Sequence, residues 1–261
     1  MSILLSFLFI ISIFLGVIND YITQKLLYTL SGLEIIFVRN FFSLFYLLFF
    51  IKRFYFNWVA IIRGVITFTS FYFLSIGLKN ALITNVTACY YMIPLTTILL
   101  CWLFKIEKPI LKLFHIPILL LIIWTFNQQT IMVNAYILIA CAGFSVCDLL
   151  IKIESKKYSD YFVNMLYNNV TVSILSGVLT KLSFFSTCAH LNYENFVWCF
   201  YLSMGGVFIQ HLLFMSFNKI NLSILLPLRY FDIPFASLIE GNFWQVQNLF
   251  VLIILILRFV F

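Results

Sequence analysis

Ten apolar runs, parted only by brief polar punctuation, fill this chain from one end to the other. They fall near 3–24, 33–51, 59–78, 81–103, 110–125, 133–151, 161–182, 195–216, 221–241 and 245–261. Each is close to the ~20 residues that carry an α-helix through ~30 Å of hydrocarbon. The fifth and tenth are shorter, and either cross almost upright or lie partly at the interface. A chain of 261 residues that is 64% hydrophobic and 10% charged has no interior large enough to hide that surface from water. The expected fold class is an all-α polytopic membrane protein with ten transmembrane helices. The first run is too long for the apolar stretch of a signal peptide and has no small-residue cleavage site after it, so it is read as the first span.

Short loops make consecutive spans antiparallel neighbours, and the basic residues then orient them. With a cytoplasmic N-terminus, one side receives Lys52, Arg53, Arg63, Lys105, Lys108, Lys112, Lys152, Lys156, Lys157, Lys219 and Arg258. The other receives Lys25, Lys79 and Lys181, a split of 11 against 3. Both termini are therefore expected in the cytoplasm. The net charge of +7 follows from this topology, and because it is spread over several short segments no nucleic-acid partner is expected.

A shift of 140 residues lays KNALITNVTACYYMIP (79–94) on KINLSILLPLRYFDIP (219–234). Lys79/Lys219, Leu82/Leu222, Tyr90/Tyr230, Ile93/Ile233 and Pro94/Pro234 coincide. A shift of 128 lays Asp20 on Asp148, and the polar loop 183–195 absorbs the difference. Two halves, 1–127 and 128–261, would each hold five spans. Five is odd, so the halves would run in opposite directions, the inverted-repeat plan that places a binding site near the midplane.

GVINDYITQKL (16–26), EIIFVRNFFS (34–43), IIRGVITF (61–68), FSVCDLLIK (144–152) and LRYFDI (228–233) carry a resemblance to the EamA-type carriers of the drug/metabolite transporter superfamily. Among these the chain looks most similar to the S-adenosylmethionine uptake transporters of obligate intracellular bacteria. Asp232 stands where a glutamate is typical of them. The resemblance implies a multi-pass secondary transporter of a bacterial inner membrane. It would take up S-adenosylmethionine in exchange for S-adenosylhomocysteine and need no cofactor. An EamA-type exporter of amino acids or other small metabolites is the alternative use of the same cavity. No GxSxG, HExxH or phosphate-cradling glycine loop points to an enzyme.

A charge at mid-bilayer costs at least ~2.5–3.5 kcal/mol, so it needs a partner or a wet cavity. Asp20, Arg39, Asp148, Arg229 and Asp232 fall in or nearly in spans, while Glu34 and Glu240 read as solvated helix ends. Arg229 and Asp232, three apart, either pair with each other or serve a zwitterion, the guanidinium taking a carboxylate and the acid facing a cation. Tyr90, Tyr91 and Tyr230 lie mid-span and either pack or stack on a purine. Asn19, Asp20, Thr23 and Gln24 form a polar stripe with Asp148 as its counterpart, read either as gate or inner polar contacts or as helix–helix hydrogen bonding. Arg39 is expected to pair with Asp20. Pro94 and Pro234 release carbonyls in mid-helix and either bend it or are accommodated without a bend, as transmembrane prolines often are. Six cysteines and three histidines show no metal-binding spacing.

Overall fold

Small polar residues decide where these helices start. Ser31 accepts the Glu34 amide through Oγ at 3.3 Å, and the Glu34 carboxylate accepts the Ser31 amide at 2.7 Å. This capping box satisfies two otherwise orphaned donors, and it confirms Glu34 as a helix end. Asn57 and Asn192 cap two later helices through the amides of Val59 and Asn195.

A computed structural model describes residues 2–107, 131–158, 160–180 and 192–241. Its elements are α1 (Ser2–Leu26), α2 (Gly32–Phe50), α3 (Trp58–Asn80), α4 (Ile83–Cys89), α5 (Met92–Leu103), α6 (Ile131–Lys157), α7 (Tyr161–Thr180), α8 (Tyr193–Lys219), α9 (Leu222–Leu225), a 3₁₀ segment (Leu226–Phe231) and α10 (Asp232–Ile239). No strand occurs among the described residues. Eight stretches are long and apolar enough to cross a membrane, with α4–α5 and α9–α10 each acting as one. They match the first to fourth and sixth to ninth expected spans. The fifth and tenth spans, Cys188, His115 and His190 lie outside the described residues. Phe49, Val65, Leu99, Val178 and Phe208 stand outward, as a lipid-facing surface requires.

The fourth and ninth spans, expected as single helices, are both broken. Pro94 and Pro234 are the third residues of α5 and α10, and neither can donate to the carbonyl four residues back. Those carbonyls belong to Tyr90 and Tyr230. The first is taken by the Ile93 amide at 2.9 Å in a tighter turn. The second accepts the Tyr91 hydroxyl at 2.6 Å, while the rings of Tyr91 and Tyr230 meet edge to face with centroids 4.8 Å apart. Both bends are present, and the two broken spans touch where they break.

They also close each other's ends. Glu240, following α10, accepts the Ile83 amide at the start of α4 at 2.8 Å, so it is a cap for a distant helix and not a solvated end. Glu107, following α5, accepts the Leu222 amide at the start of α9 at 2.8 Å. Gln24 donates to the carbonyls of Leu78 and Ala81 at the end of α3. Lys152 donates to those of Phe217 and Ile220 at the end of α8 and also holds Glu107 at 2.9 Å. Gln24 and Lys152 are the same position under the shift of 128.

Two residues counted as loop cations are therefore not free. Lys152 is buried within α6, which runs on to Lys157 because its charges find partners inside the bundle. Arg63 is buried as well. It donates to the Tyr161 hydroxyl and the Asn164 carbonyl, each at 3.2 Å, and pairs with Glu154 at 3.4 Å. Beside this cluster, Tyr55 stacks on Tyr158 and bonds the Asp160 carbonyl. Burial, reinforced by the charges of Asp160 and Glu154, pushes the Tyr55 hydroxyl well above its ordinary range, so it remains a donor. Lys52, Arg53, Lys105, Lys156, Lys157 and Lys219 remain exposed around this end, with Lys25 and Lys79 exposed at the other.

The main helix pairings come in matched sets. α3 runs along α6 and α8 along α1, and α3 meets α7 as α8 meets α2. α2 lies on α7, and α5 touches α6 as the 3₁₀ segment and α10 touch α1. Exchanging the two halves of the chain turns each pairing into another, or into itself. Close approach uses small residues. A Cβ on Gly64 would come within 2.6 Å of Thr171 and 2.9 Å of the Asn168 carbonyl.

Candidate functional site

Between the two sets of helices lies a cavity of about 180 Å³, lined by residues from the middle of the spans. At ~10–15 Å³ per molecule, it has room for about a dozen waters. Asp20, Arg39, Tyr90, Asp148, Arg229 and Asp232 line it together. The other two site residues expected from sequence, Tyr91 and Tyr230, do not. They are buried against each other beside it, which makes them part of the break between spans.

Arg229, the last basic residue of the 3₁₀ segment, reaches across to α6. One of its terminal nitrogens contacts both Asp148 oxygens, at 2.9 and 3.0 Å. The alternative in which Arg229 pairs with Asp232 is thus not realised. Winding the segment as 3₁₀ turns Arg229 toward α6, and Asp232, the first residue of α10, is left facing the cavity. The Asp232 carboxylate has neither a hydrogen bond nor an ion pair among the described residues, while its amide donates to the Arg229 carbonyl.

Asp20 is held by the Tyr90 hydroxyl at 2.9 Å. The expected Asp20–Arg39 ion pair is not formed; the Arg39 guanidinium sits over Phe71 instead, its carbon 4.1 Å from the ring centroid. Phe71 and Phe144 meet edge to face at 5.4 Å, and Tyr90 adds a third ring to this wall. The polar stripe on α1 divides. Asn19 and Asp20 face the cavity, Thr23 bonds back to the Asn19 carbonyl at 2.7 Å, and Gln24 caps α3.

Sequence reasoning missed Arg63, Thr67, Asn168 and Gln210, which also line the cavity. Thr67 donates to Asn168 at 3.1 Å, Asn168 to Asn169 at 2.9 Å, and Asn169 to Ser43 at 2.7 Å, a buried polar chain tying α3, α7 and α2 together. A four-residue spacing from Arg63 to Thr67 on one helix face was the available signal. His211 stacks on Phe162 with centroids 5.0 Å apart and does not line the cavity. The five described cysteines are buried and form no disulfide, and no cluster of metal-ligating side chains occurs among the described residues.

The cavity thus combines an aromatic wall, one carboxylate and one guanidinium without protein partners, and acids already matched to donors. Such a lining suits a small molecule that carries both charges and a flat ring. Proteins from two bacteria are similar to this chain over most of its length. One, from Rickettsia prowazekii (strain Madrid E), is 23% identical over an alignment 248 positions long that covers 88% of this chain and 81% of that protein. The other, from Rickettsia bellii (strain RML369-C), is 24% identical over the same shares. Each is named S-adenosylmethionine uptake transporter. No family model matches the chain. The distant relatives and the eight apolar spans together support a transporter role for a multi-pass membrane protein.

Proposed function

We propose that the chain is a secondary transporter of a bacterial inner membrane that takes up S-adenosylmethionine in exchange for S-adenosylhomocysteine. The observation that carries this reading is Asp232, an unpartnered carboxylate on a broken mid-membrane span, open to a central cavity with aromatic walls. A sulfonium or ammonium would neutralise that acid, and a purine would lie on Phe71, Phe144 or Tyr90. The two ligands share their adenosine and amino-acid ends and differ in the sulfonium charge. One site can therefore hold either while favouring one.

The matched helix pairings, the two breaks at Tyr90 and Tyr230, and the equivalent caps by Gln24 and Lys152 support ten spans in two inverted halves, 1–127 and 128–261. In that plan the substrate itself drives alternation between inward and outward states, with no cofactor. The cluster of exposed lysines with Arg53 at one end supports a cytoplasmic N-terminus, since Leu5 and Phe9 contact Ser216 and Phe217 there. The test is uptake of radiolabelled S-adenosylmethionine into cells expressing the protein, chased with external S-adenosylhomocysteine. Accumulation that the chase releases is expected. Uptake no greater than in empty cells overturns the substrate, and uptake that cannot be chased overturns exchange.

A further inference from the structure

Three guanidinium groups line the central cavity, and two of them are committed to protein partners. Arg229 is engaged by both oxygens of Asp148. Arg63 is shared among Tyr161, the Asn164 carbonyl and Glu154. Arg39 alone of the three has neither a hydrogen bond nor an ion pair among the described residues; Asp20, held by Tyr90, attracts it only from beyond ion-pair distance, and such a cation inside a membrane protein is costly. Its fork is nevertheless held in place. Phe71 lies against one face, and a Cβ on Gly206 would sit 3.5 Å from Nε on the α8 side. Ring and backbone grip the guanidinium without using its N–H groups, which are left for the cavity it lines.

The position of Arg39 adds to this. It also lines a smaller space of about 20 Å³ shared with Gly32 and Ser75. It therefore stands between the central cavity and the end of the bundle that carries Lys25 and Lys79, which the transport reading makes the outer end.

The geometry points to Arg39, and not Arg229, as the group that takes the carboxylate of the transported zwitterion. This assignment rests on the transport reading above. A carboxylate would meet two parallel N–H donors of the free fork, with the Phe71 ring backing the cation. Arg229 would have to abandon Asp148 to do the same, leaving a buried carboxylate unmatched. In exchange, the carboxylate is common to both ligands, so Arg39 holds the feature they share while Asp232 faces the charge that distinguishes them.

The test uses proteoliposomes and radiolabelled S-adenosylmethionine, competed with unlabelled S-adenosylmethionine or with its decarboxylated form. Wild-type protein should prefer the carboxylate-bearing competitor by about tenfold or more, the strength of a charge-assisted pair. Arg39→Gln should reduce that preference to within about twofold, and Arg39→Lys should fall between, because an ammonium is a point charge and no fork. The preference is a ratio within each variant, so the amount inserted cancels. Where transport by a variant is too slow to measure, ligand-dependent shifts in the thermal unfolding of the purified protein give the same ratio. Preference retained in Arg39→Gln, or lost instead in the Arg229→Gln/Asp148→Asn double variant, overturns the assignment. Wild-type protein that takes up no S-adenosylmethionine overturns the transport reading and this assignment with it.

Discussion

The Tyr91 hydroxyl donates to the Tyr230 carbonyl at 2.6 Å, so the residue beside one helix break fills the vacancy that a proline creates at the other. A buried carbonyl left without its donor costs about 1–3 kcal/mol. Tyr91→Phe should therefore destabilise the protein by about that amount. Pro234→Ala restores an amide that can reach the same carbonyl, so Tyr91→Phe should cost less in that background. Thermal unfolding of the detergent-solubilised single and double variants measures the coupling, expected at about 1 kcal/mol. Additive losses would mean that this bond does not support the break.

Asp148 and Asp232 should separate stability from transport. Asp148→Asn strips Arg229 of its partner and is expected to lower stability by about 1–3 kcal/mol, moderated because the pair borders a wet cavity. Asp232→Asn removes an acid with no protein partner, so stability should stay within about 0.5 kcal/mol of wild type or rise slightly, while uptake falls at least about tenfold. Parallel unfolding and uptake assays read both effects. Normal uptake by Asp232→Asn would remove that residue from the site.

Glu107 joins three chain segments by holding Lys152 at 2.9 Å and the Leu222 amide at 2.8 Å. Glu107→Gln leaves a buried ammonium without its counter-charge and loosens the start of α9. Cys101, buried a turn and a half earlier in the same part of the bundle, should then become accessible. Maleimide labelling mapped by mass spectrometry is expected to rise at least about threefold at Cys101, with the double variant Glu107→Gln/Lys152→Met reversing part of it, since removing both charges is milder than removing one. Unchanged labelling would show that Glu107 does not hold that end closed.

What the sequence disclosed followed how local each signal was. Apolar runs and the two prolines act within a few residues, and eight helices and both bends are found where they point. Partners far along the chain were hidden. Arg229 was weighed against Asp232, three residues away, whereas it is matched by Asp148, 81 residues away in the same half. Lys152 and Arg63 looked like loop charges because Glu107 and Glu154, which neutralise them, are distant in sequence. Arg39 was seen as a charge inside a span, but its freedom depends on Tyr90 having taken Asp20, a contact between two spans.

The broken ninth span has a further effect on length. The four residues of α9 and the eight of α10 rise ~1.5 Å each, while the six of the 3₁₀ segment rise ~2.0 Å each. Together they reach about 30 Å, where an unbroken α-helix of the same eighteen residues would stop near 27 Å. Tighter winding stretches this short stave by about 3 Å toward the full depth of the hydrocarbon, so replacing the 3₁₀ turns with ordinary helix would draw its two ends about a tenth closer together.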